Sequence, residues 1–156
     1  LKNSWICESS QQVKESHNWD YANQMQFSSD LDSVLKEVNI DIFFTSGTIQ
    51  SLPDPYEALE AVAHAKVPIV ALTRNNFSFK PKIVAQRSTL SMNGTGQHIE
   101  RYGNPAIYYP NTSVLKSKII ETFTTQGYEV IVDTSGTASG VYGENNYSGD
   151  LVFARQ

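Results

Sequence analysis

The sequence predicts an α/β fold, in which a mostly parallel sheet carries helices on both faces. Two short apolar runs, residues 42–44 and residues 67–72, are too continuous for strands with one face in water. Such runs are typical of strands covered on both sides, as in parallel sheets. A helical pattern, residues 55–63, lies between the two runs, and strand–helix–strand alternation favours a parallel arrangement.

The residues around position 54 predict where that central helix begins. Asp54 is a good N-cap, Pro55 suits the first helical position, and Glu57 completes a capping box. A loop of small residues, 45–48, precedes this start and follows the first apolar run. Open α/β sheets bind ligands at the carboxyl ends of their strands, so this loop is a candidate binding loop.

The N-terminal part predicts two further strand–helix units. Residues 5–7 form a strand that ends at Glu8, and Ser9 caps the next helix with Gln12 three residues on. Residues 24–27 form a second short strand. Ser29 is the predicted cap of the following helix, with Asp32 at its third position.

The C-terminal part predicts one helix, residues 114–123, and two terminal strands, residues 128–133 and 150–154. Gly127 is the expected C-cap of that helix. Residues 79–110 form the least regular region, with one short strand at 83–85. Loops of this length are often lids or binding loops, so we interpret the region as a substrate-side insertion; the alternative is a functionally silent loop.

Composition narrows the class of protein. The chain has 156 residues with 40% hydrophobic content, which is enough for one domain with a core, residues 1–156. No apolar run reaches membrane-spanning length, and a net charge of −4 without a basic cluster argues against membrane and nucleic-acid partners. The single cysteine, Cys7, excludes an internal disulfide and fits a cytoplasmic location. The three histidines show no metal-binding spacing, so no metal is expected.

Five ordered segments carry a family resemblance: ICES, FSSD, TSGTIQSLPDP, LTRNN and YYP. Together they resemble class I S-adenosylmethionine-dependent methyltransferases, which have a Rossmann-like sheet and an antiparallel last strand. The closer resemblance is to a methyltransferase group often encoded beside surface-polysaccharide genes. It implies S-adenosylmethionine as cofactor and a small-molecule or sugar-linked methyl acceptor.

The resemblance also implies cofactor-binding positions. Glu8 matches the acidic residue that accepts hydrogen bonds from the ribose hydroxyls, although any exposed strand end can carry a glutamate. The remaining implied cofactor contacts are Ser9, the adenine-side Phe27, Ser28 and Ser29, and the loop residues Ser46 and Gly47. A polar helix cap explains the serines equally well.

Catalytic and substrate positions are less distinctive. Gln50 stands where many relatives carry histidine; it either binds substrate or ties two loops together, and it cannot act as a base at neutral pH. His98 is the best base candidate, with an ordinary surface histidine as the alternative. Arg74 either orients an anionic substrate or pairs with a carboxylate. The other substrate-binding candidates are Gln86, Arg87, Tyr108 and Tyr109.

One expected motif has no match. No G-x-G precedes Glu8, whereas the family carries a glycine-rich loop and a first strand upstream of that position. We therefore expect residues 1–156 to be the C-terminal portion of a methyltransferase-like domain, lacking the first strand. Made alone, the chain is expected to bind S-adenosylmethionine weakly and to dimerise or aggregate through the vacated sheet edge. The alternative is a non-catalytic module that has lost the cofactor site.

Overall fold

A computed structural model of the chain describes residues 3–18, 24–80, 82–93, 100, 103–134 and 146–156. The strands within these residues are β1 (Trp5–Cys7), β2 (Gln26–Ser28), β3 (Ile42–Ser46), β4 (Ile69–Ser78), β5 (Lys82–Ser88), β6 (Ile107–Leu115), β7 (Tyr128–Asp133) and β8 (Asn146–Arg155). The α-helices are α1 (Ser10–Glu15), α2 (Leu31–Glu37), α3 (Pro55–His64), α4 (Leu90–Asn93) and α5 (Lys116–Thr124). Two 3₁₀ turns, Ser16–Asn18 and Ile49–Ser51, complete the list.

The strands form two sheets in the described part of the chain. β1 and β2 make a two-stranded parallel sheet, and the larger sheet has the order β5-β6-β4-β8-β7 with β3 paired to β4. β3 and β4 are parallel, and β8 runs antiparallel between β4 and β7. Parallel neighbours joined through helices, together with an antiparallel last strand, are the architecture that the sequence predicts.

The core lies between the larger sheet and the helices α3 and α5. Inward side chains of β4 and β8 are fully buried against these helices, and the Phe123 and Phe153 rings stack with centroids 4.4 Å apart. Leu31 and Leu35 of α2 pack against the same cluster. The buried members are Ile49, Leu59, Val62, Ala63, Val67, Val70, Leu72, Phe77, Val114, Ile119, Phe123, Tyr128, Leu151 and Phe153.

On the opposite face of the larger sheet, two apolar side chains of β3 are exposed among the described residues, which corrects one prediction. Ile42 is 52% exposed and Phe44 64% exposed, so the apolar run of β3 is not covered on both sides as predicted. Strand pairing aligns these two residues with apolar neighbours in two rows across four strands. We call this surface the open face; its apolar members are Ile42, Ile69 and Ala154 in one row and Phe44, Ala71, Val152 and Val132 in the other. Within the described residues, no strand pairs with the outer edge of β3.

Three local predictions were exact or close. β1 has the predicted bounds, α1 begins after Ser9, whose hydroxyl accepts from the Gln12 backbone N–H, and α3 begins after Asp54 with Pro55 in its first turn. Each of these signals depends on residues that are neighbours in the sequence. Among the described residues, no helix is long and apolar enough to cross a membrane.

Several boundaries differ from the prediction. Asp30, not Ser29, caps α2, because its carboxylate accepts from the Ser33 backbone N–H at 3.0 Å. The second central strand, β4, does not end at residue 72 but continues to Ser78 through a register shift. Residues 114 and 115 belong to β6, so the last helix begins at Lys116.

The region predicted to be irregular contains a β-ribbon. β5 and β6 pair antiparallel over seven residue pairs, from Lys82↔Ser113 to Ser88↔Ile107. β6 then joins the larger sheet beside β4 through the pairs Phe77↔Val114 and Ser78↔Leu115. The ribbon therefore extends from the central strand as an arm of the same sheet.

Candidate functional site

Two left-handed residues lie close together where the carboxyl end of β3 meets the middle of β4, and they are Gly47 and Arg74. Gly47 follows β3 with φ 66°, and its backbone N–H donates to Thr73 O at 2.9 Å. Arg74 has φ 55°, which is unfavourable for a residue with a Cβ. This residue lies where the β4–β8 register shifts, between Leu72 and Asn75. A bulge of this kind re-aims side chains at a strand end, as is common beside functional sites.

Gln50 ties the turn after β3 to β4. Its side-chain Oε1 accepts a hydrogen bond from the Asn76 backbone N–H at 3.1 Å. The side chain therefore makes the structural link that the sequence left as one of two interpretations. The Gln50 Nε2 lies 3.9 Å from where a Cβ on Gly47 would stand, and the Arg74 Cβ is also 3.9 Å from that point. Gln50 and Arg74 consequently flank Gly47 from two sides.

A cluster of buried polar side chains lies beside these residues, and no local pattern in the sequence predicts it. We call it the amide cluster: Asn75, Asn76, Asn111 and Ser113, all 3% exposed or less. The Asn76 Nδ2 donates to Asn111 Oδ1 and to Ser113 Oγ, both at 3.1 Å, and thereby holds β6 against β4. The Asn75 Nδ2 donates to Gly149 O of β8 at 3.2 Å. Within the described part, the side-chain oxygens of Asn75 and Asn76 are buried without a hydrogen-bond partner.

The predicted ribose and adenine residues lie on the smaller sheet. Glu8 follows β1 as an exposed residue, and its backbone N–H donates to Ser28 O at 3.0 Å. Parallel pairing thus brings Glu8, Ser9, Phe27, Ser28 and Ser29 to the carboxyl ends of adjacent strands. Ser9 and Ser28 both act as local caps, since Ser28 Oγ accepts from the Asp30 backbone N–H at 3.0 Å.

Two titrating side chains beside this group have perturbed pKa values. Cys7 is exposed as a residue, yet desolvation raises the pKa of its thiol, and the carboxylates of Asp30 and Glu8 raise this pKa further. The pKa of Asp30 is held below its ordinary value, first by the hydrogen bond from the Ser33 backbone N–H and then by that from the Ser33 hydroxyl. The environment beside Glu8 is therefore electronegative.

The remaining substrate candidates lie on the ribbon, but on its two different faces. Gln86 pairs with Tyr109 and Arg87 pairs with Tyr108, and paired residues share a face. Gln86 and Tyr109 are half-buried, whereas Arg87 and Tyr108 are exposed. One ligand cannot contact all four side chains of an unchanged ribbon. His98 lies outside the described residues.

Within the described residues, neither a metal-binding group nor the groove between α3 and α5 competes with these strand ends. Among the described residues, no group of three or more His, Cys, Asp and Glu side chains could hold a metal ion. A groove of about 280 Å³ lies between α3 and α5, lined by Glu60, His64, Lys118, Glu121 and four smaller or neutral neighbours. None of its lining residues belongs to the predicted site, and its balance of two acids and one lysine selects no ligand.

Comparison with known proteins gives the fold. Neither a protein-family model nor a curated protein matches the chain. Solved structures do match it. One is the glycopeptide N-methyltransferase MtfA complexed with S-adenosyl-L-homocysteine, at 12% identity and TM-score 0.54, over 97% of this chain and 72% of that one. The chain has a methyltransferase fold.

Two further solved structures agree. The S-adenosylmethionine-dependent methyltransferase from Clostridium acetobutylicum is 10% identical with a TM-score of 0.52, over 99% of this chain and 75% of that one. The methyltransferase from Methanosarcina mazei is 10% identical with a TM-score of 0.54, over 96% and 80% of the two chains. At these identities the likeness shows the Rossmann-like class I methyltransferase fold, and confirms the predicted fold class.

Proposed function

We propose that the chain is the C-terminal portion of an S-adenosylmethionine-dependent methyltransferase that acts on a small-molecule or sugar-linked acceptor. The observation that carries the proposal is the position of Glu8. It lies at the carboxyl end of a parallel strand, beside Ser28 of the neighbouring strand, in a fold shared with solved methyltransferases. Polysaccharide biosynthesis and a cytoplasmic location are part of the same proposal and derive from the sequence resemblance.

The donor set at Glu8 fits a ribose. An ionised carboxylate only accepts hydrogen bonds, and two adjacent hydroxyls supply two donors to its two oxygens. The Glu8 side chain is exposed and makes no hydrogen bond or ion pair with the described residues. Phe27 lies at the same strand ends and offers an aromatic surface to an adenine ring.

Methyl transfer does not require a fixed set of acid–base groups. When bound, the cofactor supplies an electrophilic methyl group for a direct in-line displacement. The role of the chain is then to hold the acceptor atom at the right distance and angle. Gln50 follows β3 and Arg74 lies at the bulge of β4, beside the place proposed for this acceptor, and neither is a base at neutral pH.

The test is calorimetric titration of purified protein with S-adenosylmethionine and S-adenosylhomocysteine. We expect Glu8→Gln to weaken both affinities by about tenfold or more, since one charged acceptor becomes a neutral amide. Glu15→Gln, on the exposed side of α1, is the matched control and should leave both affinities unchanged. Equal effects of the two substitutions would contradict the ribose assignment. A natural longer product that binds neither compound at millimolar concentration would contradict the whole proposal.

The length of the functional unit is part of the proposal. We expect the 156-residue chain alone to bind S-adenosylmethionine at least about tenfold more weakly than a natural longer product, a difference of about 1.4 kcal/mol. The outer edge of β3 has no partner strand in the part of the chain that the structure describes, and this supports the expectation, because a strand there would approach the same ligand-binding edge. Equal affinity of the two proteins would contradict it.

A second candidate is a non-catalytic module that kept the fold. The link between Gln50 Oε1 and the Asn76 backbone favours it, because this position serves the structure without any ligand. A glycine-rich segment within about forty residues upstream, one βα unit of this fold, would favour the enzyme. A start codon or an unrelated domain there would favour the module.

A further inference from the structure

The hydrogen bond between Asn76 and Gln50 fixes which end of the Gln50 amide is free. A backbone N–H can only donate, so the Gln50 atom that it contacts at 3.1 Å must be the carbonyl oxygen. The Nε2 group therefore points away from this contact with two N–H donors. Gln50 makes no other hydrogen bond in the described part of the chain, so both donors are available to a ligand.

Arg74, a cationic residue, also lies beside Gly47. Arg74 is exposed, and its guanidinium makes no ion pair or hydrogen bond with the described residues. Its left-handed backbone turns this side chain out of the regular alternation of β4. Nε2 of Gln50 and Cβ of Arg74 are each 3.9 Å from the space where Gly47 lacks a Cβ, and the Arg74 carbonyl oxygen is 3.8 Å from it.

The carboxylate of Asp150 lies on the other side of β4 from Gly47. Asp150 belongs to β8, whereas Gly47 and Gln50 follow β3, and β4 separates these two strands. The Asp150 Oδ1 accepts from the Arg74 backbone N–H at 2.8 Å, and Asp150 makes no ion pair with the guanidinium. Gln50 and Arg74 therefore bring amide donors and one positive charge to the residues around Gly47.

We infer that the methyl acceptor carries an anionic oxygen group, a carboxylate or a phosphate, that binds at Gly47 between the Gln50 amide nitrogen and the Arg74 guanidinium. The identification of the ligand as the methyl acceptor rests on the proposed function, whereas the anion site itself does not. Donors from a neutral amide and a guanidinium converge on oxygen, and the guanidinium prefers an oxygen that carries charge. The anionic group would hold the acceptor at the strand ends, and the reacting atom would lie elsewhere on the same molecule.

The experiment is a titration of ¹⁵N-labelled chain with sodium phosphate or sodium acetate, at constant ionic strength adjusted with sodium chloride. We expect the Gln50 side-chain amide and the Arg74 Nε–H resonances to shift saturably, with a dissociation constant of about 1–10 mM. Acetamide has a carbonyl group but no charge, and we expect it to bind at least about tenfold more weakly than the anions. A lower dissociation constant for phosphate than for acetate indicates a phosphate group on the ligand, and the reverse order indicates a carboxylate.

Two substitutions make the assignment specific. Gln50→Glu keeps the oxygen that accepts from Asn76 but replaces the donor by a carboxylate, and should weaken anion binding about tenfold or more. Gln11→Glu, on exposed α1, is its control. Arg74→Gly removes the guanidinium from a left-handed position, and Lys66→Gly is its control, since Lys66 is also a cation with positive φ, at 60°. Both controls should leave the affinity within about twofold of the parent value.

The outcomes separate this inference from the proposed function when the same samples and a natural longer product are titrated with S-adenosylhomocysteine. If the homocysteine compound binds and the anions produce no saturable shift, the anion site is wrong and the proposed function stands. If the anions bind and the natural longer product does not bind the homocysteine compound at millimolar concentration, the proposed function is wrong and the anion site stands. Anion shifts that survive both Gln50→Glu and Arg74→Gly would also overturn the inference.

Discussion

The backbone N–H of Arg74 donates to the Oδ1 of Asp150 across 2.8 Å, and so joins residues 76 positions apart at the bulge of β4. This contact holds a residue whose φ of 55° is unfavourable. We expect Asp150→Ala to lower the free energy of unfolding by about 1.5–3 kcal/mol, because a hydrogen bond to a charged acceptor is lost. Urea denaturation measures the change.

Two comparisons sharpen this measurement. Asp150→Asn retains an acceptor oxygen and should cost less than the alanine substitution. Glu60→Ala, an exposed change on α3, should alter the free energy of unfolding by no more than about 0.5 kcal/mol. An Asp150→Ala protein that matches the Glu60→Ala protein would show that the contact contributes nothing to stability.

Arg74→Gly tests the backbone strain directly. Glycine adopts positive φ without the steric conflict of a Cβ, so this substitution should raise the free energy of unfolding by about 1 kcal/mol relative to Arg74→Ala. Lys66→Gly, at φ 60°, should show the same advantage over Lys66→Ala. Thermal denaturation of the four proteins supplies the comparison. An alanine protein more stable than its glycine counterpart would argue against the left-handed conformation at that position.

Asn76→Ala should disrupt the amide cluster. The substitution removes two hydrogen bonds and leaves Asn111 Oδ1 and Ser113 Oγ, both buried, without that donor. We expect a loss of about 2–4 kcal/mol in the free energy of unfolding, since unsatisfied buried polar groups are costly. The control is Asn104→Ala, whose exposed amide bonds Ser91 and should matter by less than about 1 kcal/mol. Similar losses in the two proteins would contradict the buried role of Asn76.

Much of the local structure was predictable because its causes are local. The caps Ser9 and Asp54 contact backbone groups two or three residues ahead, and such contacts can be anticipated from spacing alone. Gly47 was also a readable signal, since a small residue after a buried strand indicates a tight turn. Ser29 and Asp30 are both good caps, and their identity alone could not decide between them.

The rest depends on partners that are distant in the sequence. Asn75 and Asn76 have weak strand propensity, so no local pattern extends β4 to Ser78. Their strand conformation comes from pairing with β8 and, for Asn76, from the bonds to Asn111 and Ser113, at least 35 positions away. The role of Asp150 in holding Arg74 was missed for the same reason. The functional roles of the predicted site residues stay predictions.

The reactivity of Cys7 should report the charge around Glu8. Because desolvation and the carboxylates of Asp30 and Glu8 raise the thiol pKa, less thiolate exists at pH 7–8 than in an unperturbed cysteine, and alkylation is slow. Asp30→Asn removes one carboxylate, lowers the thiol pKa and should accelerate the reaction in this pH range. Iodoacetamide kinetics as a function of pH measure the shift. Asp32→Asn, in the first turn of α2, should change the rate less, and equal acceleration by both would contradict a specific effect of Asp30.

Phe44 should control self-association of the chain. Its exposed ring lies on β3, whose outer edge has no partner strand among the described residues and carries no charged side chain to discourage pairing. We expect the parent chain to form dimers or larger species, and Phe44→Lys to shift it towards monomer, in size-exclusion chromatography with light scattering. Ile83→Lys changes an equally exposed residue on the ribbon and should leave the association unchanged. A parent chain that remains monomeric at every concentration would refute the prediction.

The open face also has a calorimetric consequence. Apolar side chains that stay hydrated in the folded chain add nothing to the heat-capacity increment when the chain unfolds. A monomer of this chain should therefore show a heat-capacity change below the usual figure of about 12–15 cal/mol/K per residue. Its free energy of unfolding would then curve less with temperature, and association through the open face would restore the missing curvature.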